Sequence, residues 1–171
     1  MRTGIRLALL VAIAGATIGC DRVTKHMATT MLAGKPTQSL LADTVRFVYA
    51  ENEGGFLGLG SELPSIVRTG LFTLAAGLML LVLTGVLFRS RWPLWRTVGL
   101  TLFVAGGASN WIDRLVGGSV VDFLNIGIGW LRTGIFNLAD VAILLGVAIF
   151  LFAEFRIRGI PKNDTRGRTG H

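Results

Sequence analysis

Two aspartates, Asp122 and Asp140, stand 18 residues apart in apolar surroundings: Val120-Val121-Asp122-Phe123 and Phe136-Asn137-Leu138-Ala139-Asp140. A carboxyl group flanked by apolar residues resists ionising, and two carboxyls close together in a low dielectric cannot both ionise cheaply. Such a pair shares one proton. The ionised member takes a proton from water while the protonated member donates to a carbonyl oxygen. That is the paired-acid route to peptide hydrolysis, and it needs neither a metal nor a nucleophilic side chain. Asn52, Asn110, Arg114 and Asn137 are donors available to orient the acids or a peptide, and Arg114 is placed to stabilise negative charge. The spacing permits contact between the two acids without requiring it. The plainer reading of Asp140 is an interhelical hydrogen bond inside a membrane span.

Three further clusters are polar. In Asp21-Arg22-Val23-Thr24-Lys25, Asp21 and Lys25 share a helix face, acid first. An ion pair neutralising a helix end accounts for that spacing equally well. Residues 51–60 hold four glycines in ten, suiting close backbone approach or positive φ, or simply a flexible outer loop. No GK[ST] follows, so this is not a phosphate loop. In Gly106-Gly107-Ala108-Ser109-Asn110-Trp111-Ile112-Asp113-Arg114, the small residues admit a neighbouring helix. Asn110, Asp113 and Arg114 fall on one face, and an Asp113–Arg114 pair capping the helix end is the alternative.

These clusters need a scaffold. The 171 residues are 51% apolar and 16% charged, with mean hydropathy +0.62. Ordinary soluble domains carry roughly 25% charged residues. A disordered or nucleic-acid-binding chain is excluded, and a bilayer is the natural solvent. Four transmembrane helices are expected, at about 4–27, 69–88, 97–112 and 134–155, with outer loops 28–68 and 113–133. Period-2 alternation is missing from these runs, which favours helices over a barrel. Ten of the 17 basic residues sit before the first span, between the second and third, and after the fourth. The positive-inside bias puts both termini in the cytoplasm and the acids outside. Alternation at 44–49 predicts a small β-element on the outer surface. Residues 1–158 form one domain, and 159–171 read as a loose cytoplasmic tail. Cys20 is the single cysteine and there are two histidines, so neither a disulfide nor a metal site is expected. The stretch ending Thr17-Ile18-Gly19-Cys20 imitates a lipoprotein signal peptide. Thr17 occupies the place usual for Leu, and the first span is expected to stay.

At these five clusters, in this order over 21–140, the chain resembles lipoprotein signal peptidase (signal peptidase II), a family of integral-membrane aspartic peptidases. The resemblance extends to Asn52-Glu53-Gly54-Gly55-Phe56, where Phe56 comes one place early, and to Ala108-Ser109, where a bulkier residue and Gly are common. It implies an α-helical membrane protein of four helices with a small extracytoplasmic β-cradle. It implies removal of signal peptides from diacylglyceryl-modified prolipoproteins, on the N-terminal side of the lipidated cysteine. By position, Asp122 and Asp140 would be the catalytic dyad, with Asp21, Lys25, Asn52, Gly54, Asn110, Arg114 and Asn137 supporting it. No cofactor is implied. The expected partners are prolipoprotein substrates and membrane lipids, the chain acting as a monomer in the bacterial inner membrane.

Two other classes compete. A small proton-coupled transporter would use Asp113, Asp122 and Asp140 as a relay across the bilayer, whereas these acids gather at one side. A non-catalytic scaffold would use them only to bond helices together.

Overall fold

The structure is a computed structural model that describes residues 3–55, 60 and 62–158. Arg2, Phe56 and the tail 159–171 lie outside the described residues. Four long helices, α1 (Thr3–Leu32), α2 (Ser65–Arg89), α3 (Leu94–Gly117) and α4 (Leu138–Arg158), carry a small sheet of β1 (Gln38–Leu40), β2 (Val45–Asn52), β3 (Val120–Ile128) and β4 (Leu131–Arg132). Prolines set two of the helix starts: Pro64 precedes α2 and Pro93 precedes α3, each with the fixed φ that suits a first turn. Helix α3 ends at Gly118, whose left-handed φ of +79° lets its N–H bond back to Arg114 O at 3.0 Å.

Helices α1, α2 and α4 are long and apolar enough to cross a bilayer. Helix α3 is less apolar because it is the central one, packed on by the other three, and it buries Thr97, Thr101, Ser109 and Asn110. Its 24 residues still span roughly 36 Å at 1.5 Å per residue. Glycines make the α3–α4 approach possible. A Cβ on Gly99 would lie 2.7 Å from Gly146 O, and one on Gly106 would lie 2.5 Å from Ala139 O. The small residues of 106–109 therefore bring the start of α4 against the C-terminal half of α3.

The sheet is antiparallel in the order β1-β2-β3-β4 and sits at one end of the bundle. Residues 45–49 of the alternating stretch 44–49 lie within β2. Phe123 of β3 packs with Ala28 and Leu32 of α1, with Phe47, Tyr49 and Leu138 around them, which fixes the sheet to the helices. A register shift between Phe47 and Ala50 sets Ala50 opposite Asp122 and Asn52 opposite Val120. The last helix starts later than 134. Phe136 still pairs with Leu124 as extended chain, its N–H bonding Leu124 O at 2.8 Å, so helix begins only at Leu138.

Candidate active site

Asp140 occupies the first turn of α4, not a turn and a half inside a helix beginning at 134. The strand pairing of Phe136 delays the helix and brings Asp140 to its N-terminal end. The start of α4 is a reciprocal cap. Asp140 N–H donates to Asn137 Oδ1 at 3.0 Å, and Asn137 N–H donates to Asp140 Oδ2 at 3.2 Å. This is the side chain-to-backbone exchange of a capping box, with Asp in the place of the usual Glu. Ala139 N–H, a further unpaired donor of the first turn, bonds Asp21 Oδ1 at 2.9 Å.

Asp122 arrives on β3 and is 2% exposed, with Asp140 at 5%. Asn137 Nδ2 donates to Asp122 Oδ1 at 2.6 Å, so a single asparagine bonds both acids. Asn52, at the end of β2, donates to Asp122 Oδ2 at 2.8 Å. Asn110, on α3, donates to Asp140 Oδ1 at 2.9 Å. Each of the four carboxyl oxygens thus receives one donor from the protein and keeps a further lone pair. Both acids line one cavity of 340 Å³. Asn52, Asn110, Arg114 and Asn137 share the polar wall, and Phe72, Leu80, Phe103, Trp111 and Ile143 the apolar one.

The three amides are held the right way round. An amide oxygen that meets a donor-only group must turn its NH₂ the other way. Lys25 Nζ donates to Asn110 Oδ1 at 2.7 Å, Gly54 N–H to Asn52 Oδ1 at 2.9 Å, and Asp140 N–H to Asn137 Oδ1 at 3.0 Å. All three NH₂ groups consequently face the acids. Burial raises the Asp122 carboxyl above the ordinary carboxylate range, against the lowering pull of the Asn52 and Asn137 amides and of Lys25 and Arg114.

Behind the cavity lies an ionic layer. Lys25 pairs with Asp21 and donates to Asn110 and Asp113, each at 2.7 Å. Asp21 also accepts from Ser109 Oγ at 2.7 Å, and Asp113 pairs with Arg22 at 2.5 Å. Asp113 therefore does not pair with Arg114. It lies toward α1, whereas Arg114 reaches the other way, to Gly54 O and to Asn110 O, with its guanidinium 5.8 Å over the Phe72 ring. Of the nine residues expected at the site, six line the cavity. Gly54 reaches it through Arg114 and Asn52, and Asp21 and Lys25 stand one layer back. Phe72 gave no signal in the sequence, since an aromatic in an apolar run reads as lipid-facing. Ser109 and Arg22 lay inside quoted motifs without an assigned part.

Four long helices thus bury two carboxyls at one end of the bundle, with amides trained on both. The family model for "Signal peptidase (SPase) II" matches residues 13–156. The chain belongs to that family of membrane peptide hydrolases. It is 35% identical over 153 residues to a lipoprotein signal peptidase of Staphylococcus haemolyticus, covering 87% of this chain and 90% of that one. It is 31% identical over 146 residues to one of Acaryochloris marina, covering 82% and 84%. A solved structure described as "Bacterial membrane enzyme structure by the in meso method at 2.3 A resolution" superposes with TM-score 0.78 at 27% identity, covering 91% of this chain and 93% of that one.

Proposed function

We propose that Asp122 and Asp140 are the catalytic dyad of a peptidase that cuts prolipoproteins on the N-terminal side of a diacylglyceryl cysteine. The observation that carries this reading is the asparagine bridge: Asn137 bonds both buried acids, and all three line one cavity. The ionised acid removes a proton from water as the oxygen attacks the scissile carbonyl. The protonated acid gives its proton to the carbonyl oxygen, leaving a neutral gem-diol. The nitrogen then takes the proton now held by the first acid while the second acid takes one from a gem-diol hydroxyl, so the C–N bond breaks to a carboxylic acid and an amine and the dyad returns with one proton. Asn52, Asn110 and Asn137 hold the carboxyls in place, so little reorganisation accompanies each transfer. Arg114, anchored on Gly54 O, lines the same cavity, where its charge stabilises negative charge on the carbonyl oxygen. Asp21 and Lys25 act at one remove, through Ala139 and Asn110.

The chain works as a monomer in the bacterial inner membrane, both termini in the cytoplasm and the dyad on the extracytoplasmic side. The clustering of arginines at the end opposite the dyad supports that orientation. An apolar cavity wall formed by helices that face lipid supports a substrate presented from within the bilayer. The test is processing of a diacylglyceryl-cysteine substrate in detergent by D122N and D140N. Each is expected to fold and to lose cleavage. Substantial turnover by either removes the dyad.

A further inference from the structure

At the end of the bundle away from the dyad, a second cleft of 710 Å³ opens between α1 and the turn joining α2 to α3. Its floor is apolar, made by Leu7, Leu10, Leu87 and Phe88, and Arg6, Arg89 and Arg91 stand at its rim. Among the described residues no acidic side chain lines it, and Glu154, an acid at the same end, is paired with Arg96. Arg6 is fixed in place: its Nη2 donates to Ser90 O at 2.8 Å and to Thr97 Oγ1 at 3.0 Å. Its Nε and Nη1 remain as donors. Arg89 and Arg91 are exposed. None of the three takes part in the paired-acid chemistry.

Repelling charges gathered over an apolar trough suit one kind of ligand, an anion that carries a hydrocarbon chain. Guanidinium groups match phosphate oxygens two at a time, and cations near the membrane surface draw acidic lipids. We propose that this cleft binds an anionic phospholipid of the leaflet opposite the dyad. The phosphate lies among Arg6, Arg89 and Arg91, and one acyl chain runs along Leu7, Leu10, Leu87 and Phe88. The lipid bridges α1 to the α2–α3 turn, adding to the hydrogen bonds of Arg6 to Ser90 and Thr97.

The full chain in detergent micelles, titrated and read by native mass spectrometry, tests this. The probes are phosphatidylglycerol, phosphatidylcholine with the same acyl chains, and glycerol 3-phosphate as a headgroup without chains. The expected result is one phosphatidylglycerol retained about tenfold more tightly than phosphatidylcholine and not displaced by glycerol 3-phosphate. R89Q/R91Q should weaken phosphatidylglycerol by up to about tenfold, removing the preference, and leave phosphatidylcholine unaffected. Both side chains are exposed, so melting in lipid-free detergent should not change, and R89K/R91K should keep the preference. Equal retention of the two lipids by the unaltered chain would overturn the proposal. So would a preference that survives in R89Q/R91Q, or full displacement by glycerol 3-phosphate, which would mark a plain anion site.

Discussion

Lys25 Nζ lies 2.7 Å from Asn110 Oδ1, and through that one contact an ion pair on α1 sets the direction of an amide on α3. The ammonium can only donate, so the Asn110 oxygen faces it and the NH₂ faces Asp140. The same cation neutralises Asp21, which caps the first turn of α4, and Asp113. Charge balance at the back of the site and geometry at the front are therefore one structure.

K25M removes the cation and leaves Asp21 buried without its partner. Breaking a buried pair from one side costs roughly 3–5 kcal/mol. The expected result is a large fall in melting temperature in detergent, with part of it recovered in D21N/K25M, where the stranded charge is gone. If the double variant melts lower than K25M, Asp21 matters as a cap and not as the partner of Lys25.

Asn137 serves both acids, so its loss should be felt in turnover more than in binding. N137A is expected to lower kcat by roughly 100- to 1,000-fold with KM little changed, the range seen when a preorganised donor is removed. Loss of the cap adds about 1 kcal/mol of destabilisation. Steady-state kinetics on a lipidated peptide, beside a thermal melt, separate the two effects.

Gly106 is the contact point between α3 and the start of α4. In G106A the new Cβ would meet Ala139 O at 2.5 Å, backbone against side chain, and α4 must move. Overpacking of this kind costs roughly 1–3 kcal/mol. Because Asp140 follows Ala139 directly, the displacement also misplaces the dyad. G106A is expected to lower both melting temperature and kcat, whereas a substitution at lipid-facing Leu81 should change neither.

Turnover should follow a bell in pH. Below the acid limb both carboxyls are protonated and no base remains. Above the alkaline limb both are ionised and no acid remains. Burial raises the Asp122 carboxyl, so its proton persists to higher pH than on a free side chain and the alkaline limb moves up. Both apparent values belong to the pair. A pH–rate profile of kcat/KM with a single rising limb would contradict a shared proton.

Much of this architecture was legible because a bilayer leaves few options: uncharged runs near 20 residues read as spans, and the alternation at 44–49 read as strand. The Asp21–Lys25 pair followed from helical spacing alone and is present at 2.7 Å. What the sequence hid were relationships set by tertiary contact. The delayed start of α4 depends on Phe136 pairing with Leu124, two residues with no local signal for it. Asp113 and Arg114 are neighbours along the chain, and their opposite destinations depend on what α1 and β2 bring to either side. Asn52 and Asn137 reach Asp122 from separate strands and helix ends, a convergence no spacing rule encodes.

In the proposed reaction Asp122 and Asp140 act on one water molecule, which a crystal structure resolving solvent in this cavity would show. A single ordered water is expected within about 3.2 Å of a carboxyl oxygen of each acid. Two acids too far apart for any one water to touch both would contradict it.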